Sequence, residues 1–314
     1  MLDSIAAEML WCQKYRPQKV SDIILPEKTM KSFQKFVDDK NIPNLLLSGT
    51  PGTGKTTAAV AMLKELNCDY IVINGSLNGG IDTLRYEISN FASSVSFAGG
   101  RKYVIIDEAD YLTPNTQYAL RSFSEEFSRN CGFIFTCNFK NRIIEPLHSR
   151  FSLVEFSIDK SEKPAIATQF FKRVLWILKE ENVDYDQKVV AKVVEKHFPD
   201  FRRTLNELQK YASSGRIDEG IFVNFKQESV DGLFLFLKHK NFTEMRKWVA
   251  SNTDQDFANI YRKLFDTGLT VVPLNSMADF VVLLGKYQFQ HASVPDHELN
   301  LVACLTEIMA SCDL

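Results

Sequence analysis

Short apolar runs recur through the first half of the chain, separated by longer stretches with helical spacing. Residues 45–47, 70–73, 103–106, 132–138 and 151–156 are aliphatic and aromatic runs bounded by polar or glycine-containing turns. Runs of that length predict strands, most of them buried on both faces of a sheet, 70–73 among them. Between them, residues 28–37 place Met30, Phe33, Phe36 and Val37 at helical spacing, and a helix from about residue 81 aligns Leu84, Ile88, Phe91 and Ala92. Residues 57–63 and 114–127 read as further helices, and 143–150 as a short one. Strands alternating with helices predict a three-layer α/β domain with a parallel five-stranded sheet. Its ligand belongs at the carboxyl ends of the strands. Residues 11–17 and 21–26 are short and interrupted by Pro17 and Pro26, and their apolar side chains suit plain core as well as a site.

From Lys163 the strand signals stop. Residues 164–181 put Ile166, Phe170, Val174, Ile177 and Leu178 on one helical face, and residues 186–197 carry Val189, Val190, Val193 and Val194. A third helix starts after Phe198-Pro199 and runs to about 212, closed by Ser213-Ser214-Gly215. Helix-like runs follow at 230–239, 242–250, 256–265, 277–289 and 297–310, the last with Val302, Leu305, Ile308 and Met309 in one stripe. The fold class is therefore α/β followed by all-α, and 314 residues favour two or three domains.

Composition narrows this little. No apolar run approaches membrane-spanning length, and Asp3 and Glu8 are foreign to a secretory leader. Six cysteines without a C-x-x-C pair suit reduced thiols of an intracellular protein, and five scattered histidines predict no structural metal. A net charge of −2 argues against a generally basic surface. Helix N-termini or a local basic stripe still leave a nucleic-acid partner open.

The chemistry concentrates at Gly49-Thr50-Pro51-Gly52-Thr53-Gly54-Lys55-Thr56, between the first apolar run and a helix. Strand, glycine-rich turn and helix in that order make a phosphate site. Glycines let backbone N–H groups converge on a β-phosphate, and the helix N-terminus adds its positive end. Lys55 is placed to reach the β- and γ-phosphates, and Thr56 to offer its hydroxyl to Mg²⁺. The run at 103–106 ends in Asp107-Glu108. One strand–helix unit after Lys55, that pair reads as a Mg²⁺-holding carboxylate (Asp107) and a group that polarises the attacking water (Glu108). Asn138 ends the next strand and suits either the same water or an ordinary turn.

Together these motifs resemble the ATPase subunits of DNA sliding-clamp loaders, within the AAA+ group, and particularly the repeated ATPase subunit of the loaders of T-even-type tailed phages. The resemblance spans essentially the whole chain, with the motifs in family order. It implies an AAA+ αβα domain at 1–158, a helical lid at 159–225 and an oligomerising helical collar at 226–314. Lys14-Tyr15-Arg16-Pro17 matches the family's N-terminal signature, so that Cys12, Gln13, Lys14, Tyr15 and Ile24 would hold the adenine. Gly52, Thr53, Gly54, Lys55, Thr56 and Thr57 would hold the phosphates. Asn138 matches the first sensor. Phe198-Pro199-Asp200-Phe201-Arg202-Arg203 matches the second, with Arg202 at the γ-phosphate. Ser149-Arg150 matches the finger motif, and Arg150 would complete a neighbouring subunit's site in trans. Phe151 stands where the family usually has Cys. Read as residues alone, Arg150 equally suits a helix end complementing the macrodipole, and Arg202 and Arg203 suit solvated positions.

The resemblance also implies DNA contact. Residues 80–85 match a DNA-tracking motif that usually has a basic residue where Gly79 stands, leaving Arg85. Gln117 and Arg121 match a central helix linking DNA contact to the ATP site. Phe91, Val95 and Phe97 lie where such subunits press on the clamp, although phenylalanines are more often core. Implied cofactors are ATP and Mg²⁺. Implied partners are the sliding clamp, primer–template DNA, further copies of the chain and a distinct accessory subunit in a four-to-one pentamer, with DNA polymerase an indirect partner and no membrane. The implied location is intracellular, the host cytoplasm if the chain is phage-encoded. In the implied cycle ATP binding opens the ring-shaped clamp, DNA triggers hydrolysis, and the clamp is released closed on DNA.

The alternative is another AAA+ DNA-remodelling ATPase such as a branch-migration motor. A protein unfoldase needs an aromatic pore loop, and residues 74–80 contain no aromatic. A nucleotide kinase fits Asp107-Glu108 and the helical last third badly. A non-hydrolysing scaffold has no reason to keep Lys55, Glu108 and Arg150 together.

Overall fold

The computed structural model describes residues 10–77, 81–96, 100–213, 215–218, 230–252, 257–291 and 293–314. Asp3, Glu8, Gly79, Gly80, Phe97, Ser214, Asp256 and the expected 225/226 boundary lie outside the described residues. The chain divides into two compact units, 1–217 and 218–314.

Among the described residues, the first unit opens with a single turn of helix, α1 (Trp11–Lys14), and then α2 (Glu27–Asp38). Five parallel strands follow: β1 (Leu45–Ser48), β2 (Tyr70–Asn74), β3 (Lys102–Asp107), β4 (Cys131–Cys137) and β5 (Ser152–Glu155). They are ordered β2-β3-β4-β1-β5. Helices α3 (Lys55–Glu65), α4 (Ile81–Ser93), α5 (Pro114–Glu126) and α6 (Glu145–His148) connect them. The strand pleat divides the core in two. Leu45, Leu47, Tyr103, Ile105 and Ile134 face α2 and α3, packing on Phe33, Val37, Ala58 and Met62. Leu46, Val104, Ile106, Phe133 and Phe135 face the other helices, packing on Leu84, Ile88, Leu120, Phe123 and Leu147. Val20, Ile23 and Leu25 join the first layer, so much of the N-terminal segment is indeed core.

One strand departs from expectation. β2 lies at the sheet edge and Val72 is 48% exposed, so this run is only half-buried. Apolar content alone cannot tell an edge strand from a central one.

Three helices complete this unit: α7 (Lys163–Glu180), α8 (Gln187–His197) and α9 (Phe201–Ala212). Two short strands, β6 (Asp184–Tyr185) and β7 (Arg216–Ile217), pair in parallel, which corrects the expectation of no strand after Lys163. A two-residue strand is too short to leave a periodic signal. Asp186 and Asp200 start α8 and α9 by accepting from Lys188 N and Arg203 N.

The second unit is helical: α10 (Val230–Lys238), α11 (Phe242–Ala250), α12 (Phe257–Val271), α13 (Leu274–His291) and α14 (His297–Ser311). α12 runs past its expected end at 265, through Gly268, because the Phe280 ring packs on that backbone. A methyl there would lie 2.2 Å from Phe280 Cε1. Asn300, buried in this core, donates to Tyr261 Oη and to the Tyr287 carbonyl, both at 3.0 Å. His291 and His297 pack with ring centroids 4.1 Å apart and planes tilted by 39°. Among the described residues no group of three or more His, Cys, Asp or Glu is arranged to hold a metal ion, and no helix is long and apolar enough to cross a membrane.

Candidate nucleotide site

A cavity of about 200 Å³ opens at the carboxyl ends of the central strands, where β1 lies between β4 and β5. The phosphate loop forms its floor. Gly52 and Gly54 hold φ of 76° and 91°, and Gly54 starts α3 in the left-handed region. Those values favour glycine over any side chain. Nothing lies within 4 Å of where a Gly54 Cβ would stand, so the space in front of the helix N-terminus is open.

Lys55 is the central cation. Its ammonium donates to Gly49 O at 2.7 Å, Thr50 O at 2.9 Å and Asn138 Oδ1 at 2.9 Å. All three acceptors are uncharged, and burial lowers the lysine's pKa against the more distant pull of Asp107 and Asp110. A buried cation without a bonded carboxylate is costly, and a phosphate is the group that completes it. Beside it, Thr56 Oγ1 donates to Asp107 Oδ1 at 2.7 Å, and Thr136 Oγ1 donates to the same oxygen. A hydroxyl and a carboxylate touching at the open end of a phosphate loop are the hard oxygen donors that suit Mg²⁺ with a triphosphate.

Glu108 holds φ at 57°, a left-handed value that is rare for a non-glycine residue and recurs at functional sites. Its amide donates to Thr136 Oγ1 at 3.1 Å, and its carboxylate makes no hydrogen bond among the described residues. Gly75 supports this turn, because its amide donates to Asp107 O at 2.7 Å and a methyl there would meet Glu108 O at the same 2.7 Å.

The base-site expectations divide. Cys12, Gln13, Tyr15 and Ile24 line the cavity. Lys14 does not. Its ammonium bonds Glu181 Oε1 at 2.7 Å, and Tyr15 Oη donates to the same oxygen at 2.5 Å. That hydrogen bond raises the Lys14 pKa. Gly52, Thr53, Gly54, Lys55, Thr56, Thr57, Asp107, Glu108 and Asn138 all line the cavity, and Arg202 reaches it from α9.

The remaining candidates stand elsewhere. Arg150 is outside the cavity and pairs with Glu125. Gln117 is buried, with its amide donating to Leu112 O at 3.1 Å and Arg142 O at 3.0 Å and accepting from Ile144 N at 2.9 Å. Its polar atoms are thus spent inside the fold, where it ties α5 to the segment before α6. Arg121 lies 3.7 Å from Glu125, and Arg85 lies over the Phe123 ring at 5.8 Å. Val95 is 89% exposed, whereas Phe91 packs against the core.

Several residues escaped the sequence reading. Thr136 is the one hydroxyl in the buried run 133–137, a detectable signal. Asp110 is buried, and its Oδ2 accepts from the amides of both Asn138 and Phe139 at 3.1 Å, fixing the turn that presents Asn138. Arg16, quoted within the 14–17 signature but given no separate role, donates to Thr57 Oγ1 at 3.2 Å, and burial lowers its pKa against the pull of Asp107. From α7, Phe170, Arg173 and Ile177 wall the cavity, which no local pattern announces.

Comparison with known proteins bears on this arrangement. Residues 45–158 match the ATPase family associated with various cellular activities (AAA). Residues 162–223 match the family described as sliding-clamp-loader large subunit, AAA+ ATPase lid domain. The chain is 35% identical to the sliding-clamp-loader large subunit of Escherichia phage RB69, over 96% of this chain and 95% of that protein. It is 36% identical to the sliding-clamp-loader large subunit of Enterobacteria phage T4, over 92% of each. Among solved structures, a Thermotoga maritima RuvB mutant matches with a TM-score of 0.54 at 17% identity, over 90% of each chain. That likeness is one of fold.

Proposed function

Because the chain belongs to the sliding-clamp-loader family of AAA+ ATPases, we propose that it serves as the repeated subunit of a loader whose ATP cycle opens a ring-shaped clamp and closes it on primer–template DNA. Family membership makes it an ATP-binding, ATP-hydrolysing clamp-loader subunit. The finer division into a nucleotide-binding domain to 158, a lid to 225 and a collar to 314 is part of the proposal. So are the intracellular location and the partners: clamp, DNA, further copies and a distinct accessory subunit.

One observation carries the reading. Two bonded groups flank an open phosphate loop, Lys55 with Asn138 and Asp107 with Thr56 and Thr136, and beside them the Glu108 carboxylate is unengaged among the described residues. On ATP binding the Lys55 ammonium exchanges carbonyl partners for phosphate oxygens, and Asn138, freed of it, can orient water or phosphate. Mg²⁺, held through Thr56 and Asp107, would neutralise charge on the phosphates. Glu108 polarises the attacking water. Arg202 closes the site from the lid. Arg150 of a neighbouring copy supplies the last cation, so hydrolysis waits for a tight assembly; such fingers are worth about 10³–10⁵ in rate.

The test is steady-state ATPase of the chain with its accessory subunit, with and without clamp and primer–template DNA, beside Arg150→Ala. Joint stimulation by clamp and DNA, abolished in the variant while ATP still binds, is the expected result. A high basal rate indifferent to both would favour a branch-migration motor.

A further inference from the structure

Arg150 is held in place by its own chain. Its Nε donates to Glu125 Oε1, and its Nη1 donates to Pro146 O at 3.0 Å and Ser149 Oγ at 3.2 Å. Nη2 makes no hydrogen bond among the described residues, so the guanidinium is held through Nε and Nη1 and presents the Nη2 corner. Glu125 sits in the last turn of α5, which contains no basic residue. A carboxylate there faces the negative end of the helix dipole, an unfavourable place unless cations compensate it. Two do so, since Arg121 Nε also lies 3.7 Å from Glu125 Oε1. Two guanidinium groups on one carboxylate leave a net positive charge, so the pairing does not neutralise Arg150.

We propose that Glu125 is the positioning residue for Arg150, holding the side chain extended and oriented before a neighbouring copy's nucleotide meets it. This rests on the reading of Arg150 as a finger acting in trans. The same helix holds the front of the finger segment through Gln117, which bonds Arg142 O and Ile144 N. α5 thus fixes the segment at both ends, through residues about two turns apart. Being exposed, the Glu125–Arg150 pair adds little to folding. Its effect is on orientation. An arginine carries large rotamer entropy, and ordering it beforehand removes that cost from the step in which it must meet developing charge. The Arg150 hydrogen bond also holds the Glu125 carboxyl below the usual carboxylate range, so the pair persists across neutral pH.

The experiment compares Glu125→Gln, Glu125→Asp, Arg150→Ala and the Glu125→Gln/Arg150→Ala double variant in the assembled loader with clamp and primer–template DNA. It measures kcat and KM for ATP, nucleotide affinity and thermal unfolding. Glu125→Gln is expected to lower kcat by about three- to tenfold with KM, affinity and unfolding temperature unchanged. Glu125→Asp should recover part of the loss, and Glu125→Gln should have no further effect once Arg150 is alanine. An unchanged kcat in Glu125→Gln, or an equal loss with and without Arg150, overturns the proposal while leaving the finger intact. A fully stimulated rate in Arg150→Ala overturns the finger reading itself, and the role of Glu125 with it.

Discussion

The backbone amide of Phe201 donates to the carbonyl of Gly52 at 3.1 Å, joining the helix that carries Arg202 directly to the phosphate loop. Where the two meet, a methyl on Gly52 would fall 1.8 Å from Asp200 Oδ1, the oxygen that caps α9. A nucleotide that orders the loop therefore acts on the α9 terminus without an intermediary.

Gly52→Ala should separate those two elements. The clash adds to the strain of a φ of 76°, together costing about 1–3 kcal/mol of stability. ATP affinity should fall about tenfold or more, since Arg202 moves with Asp200. Isothermal titration and thermal unfolding of the variant check both outcomes; unchanged affinity would show that the contact is incidental.

Lys55→Met should behave in the opposite manner on stability. The buried ammonium bonds only uncharged acceptors, so replacing it with an apolar chain of similar length leaves stability equal or raised. ATP hydrolysis should fall by about 10²-fold or more. Loss of stability together with loss of binding would mean that the lysine holds the loop and not the phosphate.

Gln117→Ala removes partners from Leu112 O, Arg142 O and Ile144 N at once. At about 1–3 kcal/mol for a buried unsatisfied group, and with some relaxation, a loss of about 3 kcal/mol is expected in chemical denaturation. Clamp- and DNA-stimulated ATPase should fall further than the unfolded fraction explains, because the finger segment loses its front attachment.

Cysteine accessibility tests the base site. Cys12 is half-exposed and lines the cavity, whereas Cys131, Cys137, Cys304 and Cys312 are buried. Burial pushes the Cys131 thiol to about 11 and the Cys304 thiol to about 12, which keeps both protonated and unreactive near neutral pH. Iodoacetamide should label Cys12 ahead of these four, and ATP should protect it. Labelling of Cys12 indifferent to ATP would place the base elsewhere.

The helical second unit should show its own pH dependence. Tyr287 Oη donates to Glu307 Oε2 at 2.5 Å, and Lys286 Nζ bonds both carboxylate oxygens at 3.1 and 3.0 Å. Bonding to Glu307 raises the Tyr287 pKa to about 12, above its unfolded value of about 10. That contribution is complete below about pH 10 and lost as pH rises through about 12. The Glu307 carboxyl is lowered by Tyr287 and Lys286, so its contribution is present above about pH 4.3 and lost as pH falls through the lower folded value. Glu307→Gln should flatten both limbs of a stability–pH profile recorded by thermal unfolding.

Much of the nucleotide site is legible because its chemistry is local in sequence. Residues 49–56 carry both the glycines that shape the turn and the lysine that fills it, and Asp107-Glu108 ends a run whose apolar character marks a strand. The Lys14 side chain shows the converse. Its neighbours Gln13 and Tyr15 line the cavity, yet its own ammonium goes to Glu181, 167 residues away. Motif membership constrains the backbone and leaves each side chain's partner to whatever the fold brings near.

The amino-acid order by itself determined the alternating strands and helices, the change to a mainly helical second half, and the phosphate loop with its carboxylate pair. Those features follow from hydrophobic period and from residues a few positions apart. Only the tertiary structure decided that β2 is an edge, that Asp110 fixes the Asn138 turn, that Gly52 must be bare to receive Asp200, and that Glu125 holds Arg150. Each is a contact between residues distant in sequence or a matter of which neighbour a strand receives. Chain closure and packing create such relationships, and no local pattern encodes them.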